Sequence, residues 1–462
     1  TITSMLDGAG KDTQVFSVET LLNTLGPGLD KKDLKMVSSY VALQWNKKKR
    51  QFPEVEESLP AQVLEGVGDV RDDPTAPFKT TGRTVLPVFV TKPDSMPCTG
   101  TQGDLAAIQY RLDFCRNGVP TFDTDVKKAF TQFVDRVVGT DKIAPWSLQA
   151  LLDHQDGPLQ RIRNARDKWD VSLFGQLGLK CKAMLKIEPV VNRNAVRNIS
   201  TVPGGFNLPL GCYLMAAAEH LKKKFEWYAA VKTPDQIVRR IVEIANRSQE
   251  LNLEVCAADV SKMDAGKHPQ IMAWVTTRIY MRLFGLDEEH LVELRKAEHT
   301  IKSTTNTGMA YKNGCSQMSG SASTTIDNTL TSAFFSFLGY IYEGYHPDVA
   351  FEMLGAYCGD DSVSNNCSGS MEAVGEVLGY TIKSEMIAVG EPIPFLSRFF
   401  YRAWVGSPAS LQDPVRLLRK MHISISPKTV PPRQAAVAKL KGYASLEPGN
   451  WLYQSLYQNA KR

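Results

Sequence analysis

The chain has 462 residues, 43% of them hydrophobic and 22% charged, which is ample for a large core and suits two or three domain-sized units or one body with subdomains. Its net charge of +5 is too mild to imply a nucleic-acid partner by itself. The eight cysteines form no Cys-x-x-Cys pair and the seven histidines no His-Glu-x-x-His; that argues against a zinc site and suits a reducing compartment, and no apolar run approaches the ~20 residues of a membrane helix.

The N-terminus (TITSMLDGAG) has neither an initiator Met nor a signal-peptide pattern, so a processed product or a piece of a longer chain is expected. Residues 17–50 read as helical, ending in the basic run Lys47-Lys48-Lys49-Arg50. Residues 51–104 are rich in Pro, Gly and acids, and VLPVFVTK (85–92) suggests a strand. Residues 123–152 and 210–247 look helical. LEVCAADVSKMD (253–264) starts as a buried strand and leads into the helical pattern IMAWVTTRIYMRLF (271–284). A long helix with small residues at its start is expected over 319–340, then a strand–turn–strand around 356–364, a helix over 371–379 and short strands over 380–388 and 395–404. The tail, 405–462, is mostly helical with Pro-rich breaks. The order from 253 to 404 is a mixed α/β arrangement.

Gly359-Asp360-Asp361 is a weak signal alone, because Gly and Asp are favoured in hairpin turns. The flanks GAYC and SVS are strand-like, however, and place two carboxylates at a tight tip. Adjacent acids repel, and a bound divalent cation supplies a reason to point both into a cleft. Phosphoryl transfer by the two-metal route needs carboxylates holding two ions about 3.5–4 Å apart. Asp259, ending the apolar run LEVCAA, is the second source of charge, although a lone Asp there also suits a helix N-cap. Asp264 lies five residues on, past a turn. In SGSASTTIDN (319–328), Thr324 and Asn328 are four apart and share a helical face. The small residues permit close approach of a nucleic-acid backbone, or simply make a capped helix.

Taken in order, Asp259-x4-Asp264, Ser319-Gly320-x3-Thr324-x3-Asn328 and Gly359-Asp360-Asp361 resemble motifs A, B and C of viral RNA-dependent RNA polymerases. KCKAMLKIEPVVNRNAVRNIS (180–200) resembles motif F, YTIKSE (380–385) motif D and FLSRFF (395–400) motif E. The likeness spans roughly 180–404. RNISTVP (197–203) and the stretch on to WYAAVKTP (227–234) look most like replicases of nodaviruses, which are positive-strand RNA viruses, or of noda-like relatives. Two departures stand out: SKMDAG lacks the aromatic expected before the second Asp, and Ser362 stands where Gly is more usual.

The resemblance implies an α/β (α+β) right-hand architecture whose palm is an antiparallel sheet backed by helices. It implies an N-terminal extension and fingers over 1–215, a palm over 216–404 with a fingers insertion around 276–318, and a thumb over 405–462. The tail carries nine Lys/Arg against two acids, Asp413 and Glu447; a basic thumb along a product duplex would contact phosphates without reading sequence. The implied activity is template-directed transfer of ribonucleoside monophosphate to an RNA 3′-hydroxyl with two Mg²⁺ or Mn²⁺ ions. By the same likeness Asp259, Asp360 and Asp361 are the metal ligands. Asp264, Thr324 and Asn328 read the 2′-hydroxyl of the nucleotide. Lys186, Arg193 and Arg197 bind the triphosphate. Lys383 protonates pyrophosphate, while Ser319, Gly320 and Arg398 contact template or primer. The implied partners are RNA template, nascent RNA, nucleoside triphosphates and other parts of a larger replicase, with oligomerisation open. Membrane contact would come through segments outside these residues. The implied location is the host cytoplasm at a membrane-bound replication complex, mitochondrial for a nodavirus. A reverse transcriptase and a non-catalytic RNA-binding scaffold on the same fold are the competing readings.

Overall fold

The computed structural model describes residues 62–65, 82–111 without 98, 122–168 with short gaps, and 180–461 without 192–196, 286–288, 408 and 428. The helix expected over 17–50 and Arg193 lie outside the described residues.

At the centre is a four-stranded antiparallel sheet in the order Ile382–Ile387, Val255–Val260, Asp361–Ser364, Ala356–Cys358. Val255–Val260 is an inner strand, and its apolar run is explained by burial: Val255, Cys256, Ala258 and Val260 are all inaccessible or nearly so. Against this sheet lie the helices Thr324–Tyr342 and Ser370–Leu378. The first is buried from Ile326 to Tyr340, the mark of a helix with protein on every side. Thr124–Val138 covers its outer flank. Asp123 caps that helix by accepting from the Val126 amide at 2.8 Å. Val126, Phe130, Phe133 and Val137 then form one apolar stripe, and Phe130 stacks on Phe334 with ring centroids 4.6 Å apart.

A second, five-stranded sheet runs Gln62–Glu65, Ala310–Lys312, Lys302–Thr305, Lys180–Leu185, Asn198–Thr201. Two of its strands, 302–312, thus come from the stretch between the Asp259 strand and the Thr324–Tyr342 helix, and they join strands far away in sequence. The tail helices Pro414–Met421, Pro432–Leu446 and Trp451–Lys461 pack around Leu417, Met421, Leu440 and Tyr453.

Several expected elements differ. VLPVFVTK (85–92) is not a strand: only Arg83–Thr84 pairs, with Ile423–Ser424. Pro87 offers no donor, and Val88 and Phe89 are exposed. The helix expected over 123–152 stops at Gly139, in a positive-φ conformation, and resumes at Leu148–Asp153. The one expected over 210–247 is two helices, Gly204–Lys224 and Pro234–Leu251. Between them Trp227–Ala229 runs beside Tyr357, exchanging N–H···O bonds of 3.0 Å in both directions. Residues 319–323 are turns, and the long helix starts at Thr324. The stretch 395–404 holds the strand Arg398–Phe400 and a 3₁₀ turn, Ala403–Val405.

Candidate active site

Gly359 and Asp360 form the turn between the strands that pair Cys358 with Asp361. Gly359 has φ +67, a conformation that suits glycine. The long helix grips this turn from behind. Ser332 Oγ donates to the Gly359 carbonyl at 2.7 Å, and Thr329 Oγ accepts from the Gly359 amide at 2.9 Å. The two hydroxyls are three residues apart and so share a helix face. The acidic tip is therefore fixed by hydrogen bonds rather than left as a free loop.

Asp259 lies opposite Asp361 across one strand pair and opposite Lys383 across the other. Directly opposed acids repel. Burial first, then the charges of Asp360 and Asp259, push the Asp361 carboxyl up to about 6. Burial chiefly, with Asp259 and Asp264 adding, also raises Asp360. Among the described residues no Lys or Arg forms an ion pair with any of the three. Arg197 and, for Asp361, Arg416 offset this only in part; oxygen ligands that repel one another and form no ion pair suit a hard divalent ion. The fit is one of charge and donor type: among the described residues no three such side chains yet surround one point. Asp360 opens on a cleft of about 480 Å³. Asp259 and Asp361 line an adjoining one of about 290 Å³ with Lys383.

The larger cleft gathers residues distant in sequence. Lys186 and Arg197 form one wall, with Glu188 beside them at 3.0 and 4.0 Å. On the opposite side Asn328 Nδ2 donates to Asp264 Oδ1 at 2.8 Å, and Ser319 Oγ to Asp264 Oδ2 at 3.3 Å. Thr324 lines the cleft as well, but its hydroxyl donates to the Met318 carbonyl at 2.8 Å, which closes the loop before its helix. Gly320 is needed for close approach, since a Cβ there would sit 1.8 Å from the Ser200 carbonyl oxygen. Arg398 is placed elsewhere: its guanidinium meets Glu447 at 2.7 Å and Ser410 at 3.0 Å, and it lines neither cleft. Beside it, Leu396 and Ser397 both take positive φ. That is a strained turn for residues with side chains, and it borders the smaller cleft.

Sequence reasoning missed the support beneath this cleft. Asp327, Arg295 and Glu298 form a buried ion network, with contacts of 2.9 Å and 2.8 Å, and Tyr280 donates to Asp327 at 2.6 Å. Burial works against the Asp327 charge, but Arg295 and Lys267 outweigh it and hold its carboxyl below the ordinary value. Glu298 also accepts from the hydroxyls of Ser321 and Ser323, which ties the loop after Gly320 to the network. Only the spacing of Arg295 and Glu298 on one helix was visible in advance.

Residues 155–408 match the model of the viral RNA-dependent RNA polymerase family, and the chain belongs to that family. It is 32% identical over 373 residues to the RNA-directed RNA polymerase of striped jack nervous necrosis virus, covering 78% of this chain and 37% of that protein. Its identity to the polymerase of Pieris rapae virus is 29% over 407 residues (86% and 38%), and to that of Flock house virus 26% over 357 residues (73% and 34%). The likeness to nodavirus polymerases is thus shown, and the chain spans under two-fifths of these relatives' length. A crystal structure of a human picobirnavirus RNA-dependent RNA polymerase superposes with a TM-score of 0.59 over 80% of this chain and 76% of that one, at 14% identity. The fold is the right-hand polymerase fold, and the four-stranded sheet is its palm. The reverse-transcriptase and scaffold readings find no support.

Proposed function

We propose that this chain performs template-directed RNA synthesis within a larger viral replicase, adding ribonucleoside monophosphates to an RNA 3′-hydroxyl. One observation carries this reading: the palm sheet sets Asp259 against Asp361 and presents Asp360, on a helix-clamped turn, to the cleft that also holds Asp264, Asn328, Lys186 and Arg197.

Asp259 and Asp360 are the principal ligands for divalent ions, with Asp361 assisting. When bound, such ions offset the charge between the attacking hydroxyl and the α-phosphate and make that hydroxyl a better nucleophile. Lys186 and Arg197 neutralise the triphosphate oxygens, joined by Arg193 on the resemblance. Asp264 and Asn328 orient the ribose, and Thr324 holds the loop that frames it. Ser319 and Gly320 face the template. Lys383, at the mouth of the smaller cleft, is the candidate proton donor to pyrophosphate. A role for Arg398 on the growing strand needs exchange of its Glu447 contact for a phosphate.

The pairing of strands 302–312 with 180–201 supports a fingers insertion within a palm over 216–404, fingers before 215 and a thumb from 405. The location we propose is a membrane-bound replication complex in the host cytoplasm. Among the described residues no helix is long and apolar enough to cross a membrane. The test is primer extension on a defined RNA template with four ribonucleotides, with and without divalent metal, beside a template lacking primer. Metal-dependent extension by template rules supports the reading. Absence of any incorporation under primed and unprimed conditions overturns it.

A further inference from the structure

The cleft contains a polar side chain that the motifs do not assign. Gln317 lies two residues before Ser319, lines the cleft beside Asp264 and Asn328 and is only 4% exposed. Its backbone amide donates to the Asp264 carbonyl at 2.7 Å. Its side-chain Nε2 donates to Ser323 Oγ at 2.6 Å and reaches Thr324 Oγ at 3.4 Å.

These contacts settle which way the carboxamide points. The Ser323 hydroxyl already donates to Glu298 and the Thr324 hydroxyl to Met318. Each hydroxyl has one proton, so both must accept from Gln317, and the nitrogen faces them. The Gln317 carbonyl oxygen is left buried with no hydrogen-bond partner. Asn328 is in the same position. Its nitrogen donates to Asp264, it is 5% exposed, and its oxygen too is buried without a partner. A buried acceptor left unmade is unfavourable. Both residues line the cleft with Asp264, and the two oxygens are acceptors for which the protein supplies no donor. The complementary ligand is one with adjacent hydroxyl donors, which is the chemistry of a ribose 2′,3′-diol.

We propose that Gln317 is a specificity-determining residue whose carbonyl oxygen accepts a hydrogen bond from a ribose hydroxyl of the incoming nucleotide. The ion network beneath the loop holds it in that orientation through Ser323 and Glu298. This rests on the polymerase reading above. A nucleotide lacking the 2′-hydroxyl would leave one of these acceptors unmet, so the site discriminates by the penalty on the wrong substrate as much as by the gain on the right one.

The test compares ribo-, 2′-deoxy- and 2′-fluoro-nucleoside triphosphates in single-nucleotide extension by the full chain and by Gln317→Met, which keeps the side chain's length and removes the acceptor. The expected result is a fall of about tenfold in the ribo-over-deoxy ratio of kcat/KM, with the loss borne by the ribonucleotide. An equal loss on both substrates means that Gln317 only packs the loop, and overturns the proposal; so does an unchanged ratio. The unaltered chain gives a reading independent of how the variant folds. Fluorine donates no hydrogen bond, so 2′-fluoro substrates should be rejected about as strongly as 2′-deoxy ones, and their use as readily as ribonucleotides contradicts the assignment. Failure of the unaltered chain to extend any primer would instead refute the polymerase reading itself.

Discussion

Replacing Asp361 with Asn should make the protein more stable and less active, and the size of the gain follows from the carboxyl's surroundings. Asp361 titrates at about 6 against an ordinary 3.8, because it is buried and faces Asp360 and Asp259. At about 1.4 kcal/mol for each tenfold change in proton affinity, ionising it in the fold costs about 3 kcal/mol at neutral pH. The sign is that of a raised carboxyl. The stabilisation contributed by its proton is fully present below about pH 3.8 and is lost as pH rises through about 6. Asn keeps the shape and has no charge to lose. In chelated buffer at about pH 7.5 the variant should therefore unfold a few degrees higher than the parent. The gap should shrink to about half at pH 5. Mg²⁺ or Mn²⁺ should raise the Tm of the parent more than that of the variant, since an ion that binds only the folded form stabilises it. Thermal unfolding at the two pH values, with and without metal, checks all three. A variant no more stable than the parent at about pH 7.5, or a gap indifferent to pH, refutes the reasoning.

Three further outcomes follow from the contacts. Thr329→Val leaves the Gly359 amide without its acceptor and should destabilise the chain by about 1–2 kcal/mol. It should also slow turnover without altering ribose selectivity, as denaturant melts and single-turnover rates on ribo- and deoxynucleotides will reveal. Gly320→Ala forces the loop off the Ser200 carbonyl; extension should fall at least tenfold while far-UV circular dichroism stays native, and parent-like extension would show that the two segments need not touch. Arg295→Met strands Asp327 and Glu298 as buried acids, a loss of about 3–5 kcal/mol. Its Tm should drop clearly, and partly recover when Asp327→Asn is added.

The acidic and small-residue motifs that line the clefts were legible because each is a local pattern with its own physical signature. An apolar run ending in Asp259 reads as a buried strand with a charge at its end. Gly359 permits the turn that exposes Asp360, and Thr324 and Asn328 fall on one helix face by spacing alone. What the sequence hid is tertiary. Gln317 sits in a polar loop with nothing local to mark it, and its orientation depends on Ser323, held by Glu298, accepting from its nitrogen. Thr329 and Ser332 read as ordinary hydroxyls within an apolar helix until the hairpin is seen against them. The helix expected over 210–247 is interrupted because Trp227–Ala229 pairs with Tyr357, a partner more than a hundred residues away. VLPVFVTK has the composition of a strand, yet Pro87 denies it a ladder.

Asp360 is the residue on which the assignment of the active site rests most directly. In single-nucleotide incorporation on a primed RNA template, saturated with Mg²⁺ or Mn²⁺, Asp360→Ala should reduce the rate by about a thousandfold or more. In metal-free buffer its melting temperature should equal or exceed that of the parent, since a carboxyl raised by burial and by Asp259 and Asp264 has been removed. Incorporation by Asp360→Ala at the parent's rate would contradict the assignment of this carboxylate cluster as the centre of catalysis.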